Sequence, residues 1–119
     1  MSAEARGKRY RLYVVELGRF PGVDGRPAVY VGSTSQTARA RFDEHLRGGF
    51  TSASRVRRYG TRLLPELVRG ERLHATRESA EGAEVRLAIE LAEAGYRVFG
   101  ASGRPMPAKA RQPLTTLDM

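Results

Sequence analysis

Two short runs rich in aromatic and β-branched residues, separated by a loop that neither strand nor helix can absorb, constrain this chain most. Residues 10–17 read Tyr-Arg-Leu-Tyr-Val-Val-Glu-Leu and residues 28–32 read Ala-Val-Tyr-Val-Gly, the composition of half-buried strands. Between them, residues 18–27 hold three glycines and two prolines. Proline removes a ladder donor and glycine favours turns, so the segment predicts a loop and the runs predict an antiparallel hairpin. A sheet this small needs helices to cover it.

The following residues supply those helices. A helix is predicted from Ala38 to Arg47, with Thr37 as N-cap and Gly48-Gly49 ending it. Its stripe places Phe42 and Leu46 inward and leaves Arg41 and His45 on the flank, with Asp43 and Glu44 turned away. Residues 52–60 suggest a short basic helix closed by Gly60. Pro65 breaks the stretch after it, and a third strand is expected around Arg72–Ala75. The longest periodic segment runs from about Ser79 to Ala94 and stops at Gly95. Tyr96–Phe99 reads as a final strand. The order β-β-α-α-β-α-β indicates a small α/β (α+β) sandwich, not a doubly wound parallel sheet. With 119 residues the chain suits one domain. Residues 10–100 are its expected extent, between a flexible basic lead-in at 1–9 and a disordered tail at 101–119.

The chain carries 21 Lys+Arg against 13 Asp+Glu, a net charge of +8. Such an excess attracts polyanions through counterion release, and it directs the search towards nucleic acid. All but Lys8 and Lys109 of these cations are arginines, whose planar fork suits phosphate. The absence of cysteine excludes a disulfide framework and thiolate chemistry. No apolar run reaches the roughly 20 residues of a membrane span, and no signal-peptide core is visible. The expected setting is cytoplasmic, with no membrane partner.

Glu84 is the sharpest single signal. Ala80, Ala83, Leu87, Leu91 and Ala94 form one apolar stripe at helical spacing, and Glu84 falls inside it. Glu81, Arg86, Glu90 and Glu93 fall outside. A carboxylate facing a core must be paired, hydrogen-bonded or bound to a metal. An arginine salt bridge is as good an explanation as a metal at this point. In the predicted hairpin, Tyr13 and Tyr30 share a face and can approach each other. Strand tyrosines are usually packing residues with the hydroxyl at the rim. A further basic segment, Arg55, Arg57, Arg58 and Arg62 around Tyr59, mixes phosphate-binding groups with an aromatic able to stack on a base. Solvated arginines that only favour solubility would look the same.

Taken together, Leu12-Tyr13-Val14-Val15-Glu16-Leu17, Tyr30-Val31-Gly32-Ser33-Thr34, Arg41-Phe42-Asp43-Glu44-His45 and Glu84 resemble the GIY-YIG nuclease family. The resemblance covers about residues 10–100. It implies a mainly antiparallel three-stranded sheet flanked by helices, and a DNA endonuclease that hydrolyses phosphodiester bonds with one divalent ion, Mg²⁺ or Mn²⁺. By the same resemblance Glu84 holds the metal and Arg41 the scissile phosphate. Tyr13 and Tyr30 position or deprotonate the attacking water, and His45 supports proton transfer. Ser33, Thr34, Arg55, Arg58 and Tyr59 are the expected nucleic-acid contacts. Leu12 stands where the family has glycine, and Ser33 where many members have lysine. These two departures motivate the alternative of a GIY-YIG-fold module that binds nucleic acid without cutting it. DNA is the favoured partner, with RNA the second candidate, and weak or structure-dependent specificity suggests a separate targeting partner.

Overall fold

The computed structural model describes residues 8–22, 24–48 and 53–100. Most of the expected lead-in and all of the expected tail after Gly100 lie outside them, as do Gly49 and Ser52.

The hairpin forms as its composition requires. Strand β1 spans Arg11–Glu16 and β2 spans Ala28–Thr34, paired antiparallel from Arg11 opposite Thr34 to Glu16 opposite Val29. The expectation of a mainly antiparallel three-stranded sheet is corrected: the sheet is mixed and four-stranded. Its order is β3-β1-β2-β4, with β3 at Arg62–Leu63 and β4 at Arg97–Phe99. The terminal β4 runs parallel to β2, and β3 runs antiparallel to β1. The third strand expected around Arg72–Ala75 is also corrected. That segment contributes a single bridge, between His74 and Tyr10, beyond the start of β1.

Helix α1 spans Ala38–Arg47, and its ends follow the capping rules. Thr37 Oγ1 accepts from the Ala40 amide at 3.0 Å. At the other end Gly48 adopts φ +79°, where a residue with a Cβ would be strained. Helix α2 spans Ser54–Tyr59 and a 3₁₀ turn spans Pro65–Val68. Helix α3 spans Arg77–Glu93, starting earlier than Ser79 because Thr76 Oγ1 caps it through the Ser79 amide.

Strand alternation divides the core. Leu12, Val14, Val29, Val31 and Val98 pack with Ala83, Leu87, Ala88 and Leu91 of α3. On the opposite face Tyr13, Val15, Tyr30 and Phe99 pack with Phe42 of α1 and Val56 of α2. The sheet therefore lies between α3 on one side and α1 with α2 on the other. Within α3 the apolar stripe is as read, except that Ala94 is exposed.

One position in this scaffold fixes the tyrosine face. Tyr13 lies opposite Gly32 in the ladder, and its ring leans across that glycine. A Cβ at Gly32 would stand 2.8 Å from both Tyr13 Cζ and its hydroxyl oxygen. Gly32→Ala should therefore displace the ring and cost about 1–3 kcal/mol, as overpacking does. Gly22→Ala, where a Cβ meets nothing within 4 Å, is its control. Paired denaturant melts check this, and the control should stay within about 0.5 kcal/mol of the parent.

Candidate active site

The inward face of α1 differs from the sequence expectation. Phe42 and His45 are buried, His45 completely, whereas Leu46 is 43% exposed. An imidazole enters a core only when its nitrogens find partners. Here both do. The Ala53 amide donates to His45 Nδ1 at 2.9 Å, so in the neutral ring the proton resides on Nε2. That nitrogen lies 2.8 Å from the Tyr13 hydroxyl and donates to it. Arg41 also donates to the Tyr13 oxygen, and the Tyr30 ring packs beside that of Tyr13.

The rings of Tyr13, Tyr30 and His45 lie 5.8–6.2 Å apart, centroid to centroid. Their protons are tightly held. Burial, aided by the neighbouring Tyr30, pushes the Tyr13 phenol well above the ordinary tyrosine range. Burial and the Glu84 charge push Tyr30 up to about 12. Burial, with the Arg41 charge adding to it, pulls His45 down to about 4. At neutral pH the cluster is two neutral phenols and a neutral imidazole.

Arg41 links this cluster to the surface. Its Nη1 donates to Glu44 Oε1 at 2.6 Å, and Gln36 Nε2 donates to the same oxygen at 3.1 Å. Glu44, expected to turn away, thus steadies Arg41. Burial disfavours the guanidinium charge, but the Glu44 and Tyr13 contacts outweigh it and raise its pKa.

Glu84 is 5% exposed, as its place in the apolar stripe predicted. Its hydrogen-bond partner among the described residues is Ser33, whose hydroxyl donates to Oε2 at 2.5 Å. Burial raises its pKa, the Ser33 hydroxyl lowers it, and Glu81 raises it again. No described ion pair joins Glu84 to an arginine.

These groups meet in a cleft of about 290 Å³ lined by Ser33, Gln36, Arg41, Arg77, Glu81 and Glu84, together with Tyr10 and the segment from Thr34 to Ser35. The structure therefore sorts the expected site residues into three sets. Glu84, Arg41, Ser33 and Thr34 line the cleft. Tyr13, Tyr30 and His45 are buried and joined to it through Arg41. Thr34 Oγ1 is engaged locally, accepting from the Gln36 amide at 3.0 Å. Arg55, Arg58 and Tyr59 line a different cleft on α2. Tyr10, Gln36, Arg77 and Glu81 are cleft residues that sequence reasoning missed. For the last two a signal was present, since Arg77, Glu81 and Glu84 are spaced four and three apart, one face of a helix.

The donor set consists of hard oxygens. Mg²⁺ and Mn²⁺ are commonly held by one or two carboxylates with water or phosphate oxygens completing the shell. Glu84, with Glu81 one turn away, fits that description. Among the described residues no group of three or more histidine or acidic side chains is placed for a metal.

No known family model matches the sequence, and no match is found among the curated proteins or the solved structures.

Two titrations test the geometry. His45 is neutral when folded, so the unfolded chain binds its proton first as pH falls. Stability should drop between about pH 6.5 and pH 4 by on the order of 3 kcal/mol more in the parent than in His45→Gln, then level off. Glu84 runs the other way. Its raised pKa means that the folded protein binds its proton more tightly, so stability is lost as pH rises from the ordinary glutamate range through the folded pKa. In chelator at pH 7, Glu84→Gln should therefore melt at or above the parent, with the difference disappearing in acid. A structural ion pair would instead cost on the order of 3–5 kcal/mol on substitution.

Proposed function

We propose that this chain is a divalent-metal-dependent endonuclease of the GIY-YIG type, hydrolysing phosphodiester bonds in DNA. The observation that carries the reading is the meeting of Glu84 and Arg41 across one polar cleft. The sequence resemblance supports the same pairing, and the net charge of +8 suits a polyanionic substrate.

In this reading the scissile phosphate enters the cleft and lies against Arg41. Phosphoryl transfer depends mainly on positioning and on stabilising negative charge. Arg41 is suited to that, because Glu44 and Tyr13 fix its fork before substrate arrives. Glu84 would hold Mg²⁺ or Mn²⁺ at the opposite wall, with Glu81 as a second oxygen donor and the Ser33 hydroxyl orienting the carboxylate. A bound divalent ion supplies Lewis acidity and makes a coordinated water more acidic. Proximity of a cation would also favour the ionised carboxylate, offsetting the burial that raises its pKa.

Tyr13, Tyr30 and His45 take a different part. Phenols with raised pKa values and a buried neutral imidazole are poor bases at neutral pH. The cluster instead positions Arg41 and keeps its donors aimed. This replaces proton abstraction by the tyrosines with orientation of the phosphate-binding group.

A nucleic-acid-binding module on the same fold is the second reading, favoured by the Ser33 hydroxyl that already satisfies one Glu84 oxygen. One experiment separates them. Plasmid, single-stranded and branched DNA are incubated with the protein, with and without Mg²⁺ or Mn²⁺. The enzyme should cut in a metal-dependent way, Glu84→Ala should be inactive, and its DNA affinity in chelator should be nearly that of the parent. Arg41→Ala should slow cleavage by roughly 10²–10³-fold, the cost of one transition-state donor. Cleavage that persists in Glu84→Ala, or no cutting of any substrate at high protein concentration, defeats the nuclease reading.

A further inference from the structure

The cleft on α2 shares no residue with the cleft at Glu84. It has a volume of about 210 Å³ and is lined by Phe20, Ser54, Arg55, Arg58 and Tyr59. That is roughly seven times the ≈ 30 Å³ share of one water in the liquid, enough for a planar ring. Its walls alternate rings and guanidinium groups. Phe20 meets Tyr59 edge-on at 5.1 Å and leans on Phe99 at 5.1 Å. The Arg55 guanidinium lies 4.2 Å over the Phe99 ring, and Arg58 lies 5.9 Å over Tyr59. Arg97 stands 5.5 Å from Phe20.

The surroundings are strongly basic. Helix α2 reads Ser-Arg-Val-Arg-Arg-Tyr and contains no acidic residue. Asp24 and Glu16 are already engaged, by Arg26 and Arg97 and by Arg62. Arg58 is exposed, and no ion pair is found for it among the described residues. Half-buried rings beside the exposed charge of Arg58 suit a ligand that is both planar and anionic. An unpaired strand has both properties, whereas a duplex hides its ring faces.

We propose that this arginine-aromatic surface is a second nucleic-acid subsite, which holds unpaired single-stranded DNA apart from the cleft that contains Glu84. Phe99 lies opposite Tyr30 in β2, and the Glu84 cleft sits at the end of that strand. Four residue steps separate Tyr30 from Thr34, about 13 Å at ~3.3 Å per residue. A substrate spanning both sites carries a duplex next to a single-stranded arm. The subsite thus deepens the nuclease reading by naming a branched substrate class, and as a binding site it stands without cleavage.

Binding is measured by fluorescence anisotropy in chelator, on the full chain. Three probes are compared: a blunt duplex, the same duplex with an arm of about six thymidines (~20 Å at ~3.4 Å per nucleotide), and that arm made abasic. The thymidine arm should tighten binding about tenfold, and the abasic arm should lose most of that gain, because stacking needs bases. Tyr59→Leu should remove the gain that the thymidine arm gives. Arg58→Ala should weaken armed probes and lower the salt slope by about one. Equal affinity for all three probes, or a gain that survives in the abasic arm or in Tyr59→Leu, overturns the subsite. If Tyr59→Leu fails to fold by circular dichroism, the abasic arm and the exposed Arg58→Ala decide. Arm preference without cleavage defeats the nuclease reading alone. Metal-dependent cleavage without arm preference defeats the subsite alone.

Discussion

The buried hydroxyl of Tyr13 is the interaction on which the rest of the site depends. A phenol oxygen inside a core costs free energy unless its hydrogen bonds are made, and each partner it recruits constrains a different element. Gly32 supplies the space, through β2. His45 supplies a donor from α1, and the Ala53 amide at the start of α2 fixes the histidine tautomer. Arg41 supplies the second donor, and the Tyr30 ring packs beside the phenol. Two strands and two helices are thus tied to one oxygen, and a shift in any of them moves Arg41.

The two charged residues of the cleft are stabilised by different means. Arg41 is partly buried and remains charged because Glu44 and Tyr13 repay its lost hydration. Glu84 is more deeply buried, and its hydrogen-bond partner among the described residues is a neutral hydroxyl, with the like charge of Glu81 nearby. The arginine is preorganised, whereas the carboxylate is held in an environment that disfavours its charged form. An unfavourably buried anion facing an open cleft is a site where a cation gains binding energy, the usual inversion of local pKa logic by a bound ion.

How much of this was legible depended on whether the signal was local. The hairpin, the Thr37 and Gly48 caps and the α3 stripe with Glu84 inside it follow from periodicity and capping within a few residues. Strand β3 was missed because Arg62–Leu63 is two residues long and carries no alternation; only its backbone pairing with Val15 and Glu16 makes it a strand. The parallel partnership of β4 with β2 is likewise a choice of sheet edge that no local pattern encodes. His45 and Leu46 exchanged places for a related reason. Hydropathy sends leucine inward, and it is overruled here because both histidine nitrogens find partners, one of them on Tyr13, 32 residues away. Of the cleft, Glu84 and Arg41 were foreseen, while Tyr10 and Gln36 reach it through chain paths that no spacing rule describes.

The position of the cleft follows from strand geometry. Successive side chains of a strand point to opposite faces, so β2 sends Ser33 towards α3 and Thr34 towards α1. Glu84 belongs to the α3 layer and Arg41 to the α1 layer. Along the body of the sheet two such residues are separated by a hydrogen-bonded strand and its apolar side chains, and they cannot share a ligand. They can meet only where the strand stops. In this chain β2 ends at Thr34, and Ser35 and Gln36 turn the backbone towards α1. The same end of the sheet carries the last residues of β2 with hydroxyl side chains in place of the valines that precede them. A polar cleft there interrupts no apolar packing, which allows a small core to remain intact while a carboxylate and an arginine line one open cleft.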